Sequence, residues 1–191
     1  MGLGEPSVLL IGTLDTKGPE VDYLRSRLHA LGVPTLVMDT GLLGEPLSIE
    51  PDVSHADLAE FGGTTLEALQ QAGTRGRAVD QMRTFVRAKV ADLHRQGLVL
   101  GGIGLGGAEG AVMSAAALME LPLGVPKMVL SPIASGRHLF DPLVGTSDMI
   151  VMHTVVDILG LNAIACSVFD NAAAAMAGMV EHGQTALEAP K

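Results

Sequence analysis

The first forty residues alternate between continuous apolar runs and a segment with helical spacing. Residues 7–13 (SVLLIGT) form a short apolar run that ends near Gly12, which is typical of a buried strand followed by a tight turn. In residues 17–31 the apolar positions recur every three or four residues, which predicts an amphipathic helix. Residues 34–39 (PTLVMD) form a second apolar run. The pattern predicts a β-α-β unit with a right-handed crossover.

The same alternation continues through the rest of the chain. We predict short helices at 56–61 and 65–72, a long helix at 75–96, strands at 98–103, 127–133 and 149–152, and helices at 108–119 and 162–181. Strands that alternate with helices predict a mostly parallel sheet with helices on both faces, which is a doubly wound α/β fold.

The sequence is compatible with two domain organisations. In the first, residues 1–182 form one α/β domain and residues 183–191 form a linker or tail. In the second, residues 1–75 and 98–182 form two Rossmann-like lobes that the helix at 75–96 joins. In either arrangement ligands bind at the carboxyl ends of the strands, near the point where the strand order reverses.

Composition narrows the classes of function. The chain has 191 residues, a net charge of −9 and only 3% aromatic residues, and no basic run exceeds two adjacent positions. These features disfavour nucleic-acid binding. The single cysteine, Cys166, excludes a disulfide framework and a cysteine-based zinc site. Neither a signal peptide nor an apolar stretch of about 20 residues is visible, so we expect a cytoplasmic protein without a membrane span.

Glycine is over-represented, with 24 residues, and the surplus lies where predicted strands give way to helices. The first such turn contains Gly12, Thr13, Asp15, Thr16 and Lys17. Here Gly12 allows a ligand to approach the backbone, the two hydroxyls can bind phosphate, and Asp15 can hold a cation through water. Lys17 can reach a phosphate. The alternative is a plain helix N-terminus, with Asp15 or Thr16 as the N-cap.

The second turn, residues 101–110 (GGIGLGGAEG), contains six glycines. It follows a strand and precedes a helix, so its amides can hold an anion at the positive end of the helix dipole. The turn matches G-x-G-x-x-G, but no acidic residue ends the next strand, which argues against an NAD site. The alternative is close packing of helix on strand that only glycine allows. The candidate phosphate-binding residues are Gly104, Gly106, Gly107, Ala108, Glu109 and Gly110.

Further candidates lie in turns that are less distinctive. Arginine pairs well with phosphate, and Asp15 and Asp148 can order the water molecules of Mg²⁺. For each of these turns alone, turn chemistry or a surface salt bridge explains the residues at least as well. The residues added to the predicted site are Thr40 after the second strand, Arg75 and Gly76 at the start of the long helix, Ser135 and Gly136 after the fourth strand, and Thr146, Ser147 and Asp148 before the fifth strand.

Taken together, these segments resemble the Tm-1-like ATP-binding domain, an uncharacterised protein family that includes plant tobamovirus-resistance proteins. The matching segments, in order along nearly the whole chain, are IGTLDTK (11–17), TRGRA (74–78), GGIGLGGAEGA (101–111), LPLGVPKMVLSPIASG (121–136), VGTSDM (144–149), VVDILGLN (155–162) and NAAAAMAGM (171–179). The resemblance implies a nucleotide-binding domain, for ATP with Mg²⁺, in a homodimer. It also implies a second domain that looks like a TIM barrel, here a partner domain or a separate chain.

The sequence therefore predicts an ATP-binding domain that acts as the regulatory or ligand-binding half of a larger system. No catalytic residue is predicted. One alternative is an enzyme that acts on a small phosphorylated or carboxylated metabolite in the same anion site. Another alternative is a protein-interaction module that the nucleotide only stabilises.

Overall fold

The structure is a computed structural model, and it describes residues 4–71, 73–134 and 141–183. Within these residues the chain forms, in order, β1 (Ser7–Gly12), α1 (Leu14–Ala30), β2 (Thr35–Asp39), α2 (His55–Phe61), α3 (Leu66–Gln70), α4 (Arg75–Arg95), β3 (Val99–Leu105), α5 (Ala108–Leu118), β4 (Lys127–Ser131), α6 (Asp141–Val144), β5 (Ile150–His153) and α7 (Ala163–His182). The strands make one all-parallel sheet in the order β2-β1-β3-β4-β5. The doubly wound α/β fold predicted from the sequence is confirmed.

Helices cover both faces of this sheet. Successive side chains of a strand point to opposite faces. In β1, Leu9 and Ile11 join the core under α2 to α6, while Val8 and Leu10 join the core under α1 and α7. Because the central strands are buried on both sides, they appear in the sequence as continuous apolar runs instead of alternating ones.

The strand order places β1 and β3 side by side. From β1 the chain moves outward to β2, and from β3 it moves in the opposite direction to β4 and β5. Helix α1 covers one face of the sheet and α5 covers the other. The strand order therefore reverses between β1 and β3, where doubly wound folds bind their ligands. The two groups of strands that the sequence suggested as lobes are parts of this one sheet.

Two element boundaries differ from the sequence prediction at this point of reversal. Helix α1 begins at Leu14 instead of residue 17, because the carboxylate of Asp39 accepts a 2.9 Å hydrogen bond from the Leu14 amide. Strand β3 continues to Leu105, so the predicted glycine-rich turn shrinks to the two residues between β3 and α5.

Among the described residues, α7 is the one helix long and apolar enough to cross a membrane by length and composition alone. It has 20 residues, and its most apolar 18-residue window has a mean hydropathy of 1.5, so the expectation that no apolar stretch reaches such a length is corrected. In the fold α7 lies against α1 and β3, and Phe169, Ala172 and Met176 are fully buried. These contacts make α7 a core helix, although only 33% of its apolar window is buried.

Candidate functional site

A pocket of about 570 Å³ lies at the carboxyl edge of the sheet, where β1 and β3 end. Small-molecule sites commonly have volumes of about 300–1,000 Å³. We call it the switch-point pocket. Its walls come from the turns after β1 and β2, from α3 and α4, and from the start of α5. The residues that line it are Thr13, Asp15, Thr16, Lys17, Thr40, Gly41, Leu42, Leu43, Gln70, Arg75, Ala78, Val79, Gly107, Ala108, Glu109, Gly110 and Met113.

Two larger pockets occur elsewhere in the described part of the chain. One, of about 790 Å³, lies at the amino edge of β2. The other, of about 910 Å³, lies beside α2 and α3 and is lined by the acidic residues Glu45, Glu50, Glu60 and Glu67. Neither lies where the strand order reverses, so volume alone does not identify the site. The switch-point pocket is the candidate because fold and chemistry coincide there.

The N-terminus of α5 forms one wall of the switch-point pocket. Gly107 is the N-cap, and it has no side chain to bond the helix amides. Within the described residues, the amides of Ala108, Glu109 and Gly110 have no protein acceptor, whereas Ala111 donates to the Gly107 carbonyl at 2.8 Å. Free amides at the positive end of a helix dipole attract an anion. The amides that the sequence predicted to hold an anion therefore lie without protein acceptors at this wall, and their binding of an anion stays a prediction.

The glycines of this segment serve two different purposes. A Cβ at Gly104 would lie 2.2 Å from the Cβ of Ser114, and one at Gly106 would lie 2.8 Å from the carbonyl carbon of Gly110. A Cβ at Gly107 would meet none of the described atoms within 4 Å. Close packing of α5 on β3 therefore explains Gly104 and Gly106, as the alternative interpretation had it. Gly107 and Gly110 are the glycines that line the pocket.

The N-terminus of α1 forms a second wall. Thr13 is the N-cap without a side-chain cap bond, and its hydroxyl oxygen lies 3.1 Å from that of Thr16. The interpretation of Asp15 or Thr16 as the N-cap is therefore wrong. Asp15 lies in the first turn of the helix. Thr40 is buried, and its amide and hydroxyl both donate to the Gly12 carbonyl, at 2.9 and 3.2 Å, so its hydroxyl proton serves the protein backbone.

The ammonium group of Lys17 bonds to the backbone outside the turns that were predicted to bind phosphate. Its Nζ donates a hydrogen bond to the carbonyl of Ile158, in the connection between β5 and α7. The ammonium group is thus bonded on the face of the sheet that α1 and α7 cover, opposite to α5. The expectation that Lys17 reaches a phosphate finds no support in this contact.

Asp39, which the sequence prediction missed, lies buried behind the turns after β1 and β2. Its Oδ1 accepts 2.9 Å hydrogen bonds from the amides of Leu14 and Gly41, and its Oδ2 lies 3.0 Å from Nδ1 of His55. Burial raises the pKa of Asp39, a rise that outweighs the opposing effect of the two amides and of His55, and the charge of Asp15 adds to it. The sequence signal was an acidic residue that ends an otherwise apolar run, since such a residue needs partners when buried.

Arg75 and Glu109 form an ion pair at the pocket wall. The hydroxyl of Thr74 caps α4 by accepting a 3.3 Å hydrogen bond from the Arg77 amide, which places Arg75 in the first turn. The guanidinium of Arg75 lies 2.9 Å from the carboxylate of Glu109, and the side chains are 73% and 51% exposed. Exposed pairs of this kind contribute only about 0.2–1 kcal/mol, so an anion can compete for Arg75. Gly76, the next residue, does not line the pocket.

Thr146, Ser147 and Asp148 lie at the amino ends of the strands, opposite to the switch-point pocket, because they precede β5 and the sheet is parallel. Asp148 accepts a hydrogen bond from the Gly124 amide at 2.8 Å and pairs with Lys127 Nζ at 2.7 Å. Desolvation raises the pKa of Asp148, but the bonds from Lys127 and Gly124 outweigh it and leave the pKa lowered. These three residues are thus not brought to the switch-point pocket, and Asp148 has a partner of its own.

Two residues of the predicted site, Ser135 and Gly136, lie outside the described residues, so their part in the site stays a prediction.

No group of three His, Cys, Asp or Glu residues among those described could hold a metal ion by itself. Mg²⁺ usually keeps several waters and binds one or two carboxylates plus substrate phosphates. Asp15, which lines the pocket together with Thr13 and Thr16, fits that mode of binding.

The fold and the pocket define a doubly wound α/β domain with an anion-attracting helix N-terminus at its switch point. The chain belongs to the uncharacterised protein family UPF0261, whose N-terminal domain matches residues 6–185.

Relatives in bacteria and in a plant are similar to this chain over most of its length. A UPF0261 protein of Clostridium tetani is 34% identical over 91% of this chain and 42% of its own length. A UPF0261 protein of Brucella suis is 35% identical over 91% of this chain and 41% of its own length. The ToMV resistance protein Tm-1(GCR237) of Solanum lycopersicum is 31% identical over 92% of this chain and 25% of its own length. The chain thus spans about two fifths of the length of these bacterial relatives, and the resemblance seen in the sequence is confirmed.

Proposed function

We propose that this domain binds a nucleotide, ATP together with Mg²⁺, in the switch-point pocket. The observation that carries the proposal is the start of α5, where the amides of Ala108, Glu109 and Gly110 line the pocket without a protein acceptor among the described residues. Such amides bind phosphate groups in many doubly wound folds. The choice of ATP among phosphorylated ligands rests on the resemblance to the Tm-1-like ATP-binding domain.

The phosphates belong at α5 and not at α1. The first amide of α1, on Leu14, already donates to the carboxylate of Asp39, and Asp15 adds a second carboxylate in that turn. These negative charges oppose an anion at α1, whereas the carboxylate in the first turn of α5, on Glu109, is paired with the positive charge of Arg75. The pocket therefore has one end suited to phosphate and another suited to a hydrated cation.

The other parts of the ligand have partners of matching chemistry. Asp15 with the hydroxyls of Thr13 and Thr16 would order water molecules of Mg²⁺, which supplies charge neutralisation for the phosphates. Leu43 is 72% exposed and lines the pocket together with Leu42. Aromatic residues make up only 3% of the chain, so we assign packing of the base to these aliphatic side chains.

We further propose that the domain is the regulatory or ligand-binding half of a larger system. The family model matches as an N-terminal domain, and the bacterial relatives continue well beyond the part that this chain covers. The same anion site would also serve an enzyme that acts on a small phosphorylated or carboxylated metabolite. Turnover separates the two functions, because a regulatory domain binds ATP without steady hydrolysis.

Calorimetry on the purified chain tests binding directly. The titrants are ATP with Mg²⁺, ATP alone, inorganic pyrophosphate and orthophosphate. The test variant is Gly107→Val, because a Cβ at Gly107 meets none of the described atoms within 4 Å and its φ of −67° suits any residue. The matched control is Gly178→Val in α7, where a Cβ likewise meets none of them and which lies outside the pocket.

We expect Gly107→Val to weaken ATP binding at least about tenfold, because a branched side chain stands beside the anion-binding amides. The control variant should bind as the natural chain does, and both variants should keep their thermal stability. If no titrant gives heat or a thermal shift, the nucleotide proposal is wrong. If Gly107→Val binds normally, the start of α5 is not where the phosphates lie.

A further inference from the structure

A single buried carboxylate connects the two turns that form the α1 side of the switch-point pocket. Asp39 is fully buried at the end of β2. Its Oδ1 accepts 2.9 Å hydrogen bonds from two amides, one on Leu14 at the start of α1 and one on Gly41 in the turn after β2. Removing a carboxylate from water costs several kcal/mol unless partners compensate. Leu14 and Gly41 are far apart in the chain, yet one oxygen atom holds both.

The second oxygen of Asp39 lies 3.0 Å from Nδ1 of His55, the first residue of α2, whose side chain is only 9% exposed, but it accepts no hydrogen bond from the described residues. Three separate segments, at the starts of α1 and α2 and after β2, therefore converge on this carboxylate. Asp15 and Asp57 are the other charged groups that act on the pair, the first through Asp39 and the second through His55.

The segments that Asp39 joins are packed too closely to be set independently. A Cβ at Gly41 would lie 3.1 Å from Oδ1 of Asp39, and a Cβ at Gly44 would lie 2.9 Å from the Cβ of Asp15. The turn after β2 therefore lies directly on Asp39 and Asp15. Thr13, Asp15, Gly41 and Leu42 all line the pocket, so the position of this turn decides the shape of that wall.

We propose that Asp39 is a positioning residue, which holds the start of α1 and the turn after β2 together and so forms the ligand-binding wall of the switch-point pocket. It acts through the amides of Leu14 and Gly41 and does not touch the ligand. His55 lies behind the carboxylate, 3.0 Å from its second oxygen. The part of the proposal that concerns ligand affinity rests on the proposed function, while the part that concerns the wall does not.

Amide hydrogen exchange, measured by NMR on the ligand-free chain, tests the wall. Asp39→Asn keeps the shape of the side chain and one acceptor oxygen, and Asp39→Ala removes both. The matched control is Asp52→Asn. Like Asp39, Asp52 accepts a hydrogen bond from a backbone amide, here that of Val37 in β2 at 2.8 Å, but it does not line this pocket. The amides of Val86 and Val90, in the buried face of α4, report on global stability.

We expect exchange at Leu14 and Gly41 to become about tenfold faster in Asp39→Asn, because a charge-assisted hydrogen bond is roughly twice as strong as a neutral one. Asp39→Ala should exchange faster still. Exchange at Val86 and Val90 should stay unchanged in Asp39→Asn, and Asp52→Asn should leave Leu14 and Gly41 as they are. If Asp39→Asn changes neither amide, or changes the α4 amides equally, the proposal is wrong.

Calorimetry with ATP and Mg²⁺ on the same variants tests the consequence for binding. We expect Asp39→Asn to weaken affinity at least about tenfold while thermal stability changes little, and Asp52→Asn to bind normally. Faster exchange at Leu14 and Gly41 with unchanged affinity would overturn the role of the wall in binding. Faster exchange in a chain that binds no phosphorylated ligand would instead overturn the proposed function and leave the positioning by Asp39 supported.

Discussion

The guanidinium of Arg75 lies 2.9 Å from the carboxylate of Glu109, so this pair joins the first turns of α4 and α5 beside the switch-point pocket. An anion that binds the α5 amides shares Arg75 with Glu109. We therefore expect Glu109→Gln to bind inorganic pyrophosphate about three- to tenfold more tightly, because one opposing charge is lost and Arg75 is released. Calorimetry at low and high salt measures this gain, which should shrink as salt screens the charges.

Glu120 provides the matched control for this prediction. It follows α5 and accepts a 2.7 Å hydrogen bond from Nε of Arg87, so Glu120→Gln removes the same charge from a similar exposed pair. We expect its affinity for pyrophosphate to equal that of the natural chain. An equal gain in both variants would show that net charge matters and that the Arg75–Glu109 pair does not.

Lys127 is a fully buried lysine whose ammonium group has three oxygen acceptors. Its Nζ donates to the carbonyls of Pro122 and Val125, at 2.6 and 2.8 Å, and pairs with Asp148 at 2.7 Å. We expect Asp148→Asn to lower the free energy of unfolding by about 1–2 kcal/mol, less than a fully buried pair would lose because Asp148 is 42% exposed. Urea denaturation measures the loss. ATP affinity should not change, since Asp148 lies at the opposite edge of the sheet.

The same pair predicts a dependence of stability on pH. The pKa of Asp148 is lower in the folded chain than in the unfolded chain, where the partners are absent. Its contribution is therefore present above the pKa of the unfolded chain and is lost as pH falls through the lowered pKa of the folded one. The difference in unfolding free energy between the natural chain and Asp148→Asn should be full at neutral pH and shrink in acid. A difference that stays constant with pH would contradict the pairing.

The order of strands and helices was predictable because burial on both faces leaves a strong pattern in the sequence. Strands β1, β3 and β4 lie in the middle of the sheet and appear as apolar runs, and the long helix α4 buries one regular face. Helix α6 was not predicted, since Asp141–Val144 is a single turn and has no periodicity to detect. The pairing of β1 with β3 also left no local signal, because it depends on contacts distant in the chain.

The candidate site was predictable where it is built from the turns at the carboxyl ends of strands. Thr13, Asp15 and Gly107 meet because parallel strands end at the same edge, and the sequence marks the turns after β1 and β3 by their glycines. Asp148 has the right chemistry but precedes β5, which places it at the other edge. Asp39 was missed because its importance comes from Leu14 and His55, and neither contact can be deduced from sequence spacing.

Two glycines of the same segment should respond differently to one added methyl group. Gly104→Ala places a Cβ 2.2 Å from the Cβ of Ser114, so we expect the free energy of unfolding to fall by about 1–3 kcal/mol or more as α5 is pushed from β3. At Gly107 the methyl group meets none of the described atoms within 4 Å, and stability should stay within about 0.5 kcal/mol. Urea denaturation of both variants measures this. Equal effects would mean that α5 does not pack on β3 through Gly104.

An exposed apolar surface beside α7 predicts self-association of the chain. Half of the ten exposed large hydrophobic residues among those described lie between residues 150 and 164, and Leu159, at 77%, is the most exposed of the ten. In the adjoining helix, residues 163–180, the one charged residue is Asp170, which Arg27 pairs at 2.7 Å, and within 150–164 the one exposed charge is Asp157. Exposed apolar patches with few charges mark interaction surfaces, and a two-fold interface requires a surface compatible with itself. We expect a dimer by light scattering, which Leu159→Asp converts to monomer, whereas Leu123→Asp, at a position 61% exposed elsewhere, leaves it intact. A monomeric natural chain, or equal behaviour of the two variants, would contradict the prediction.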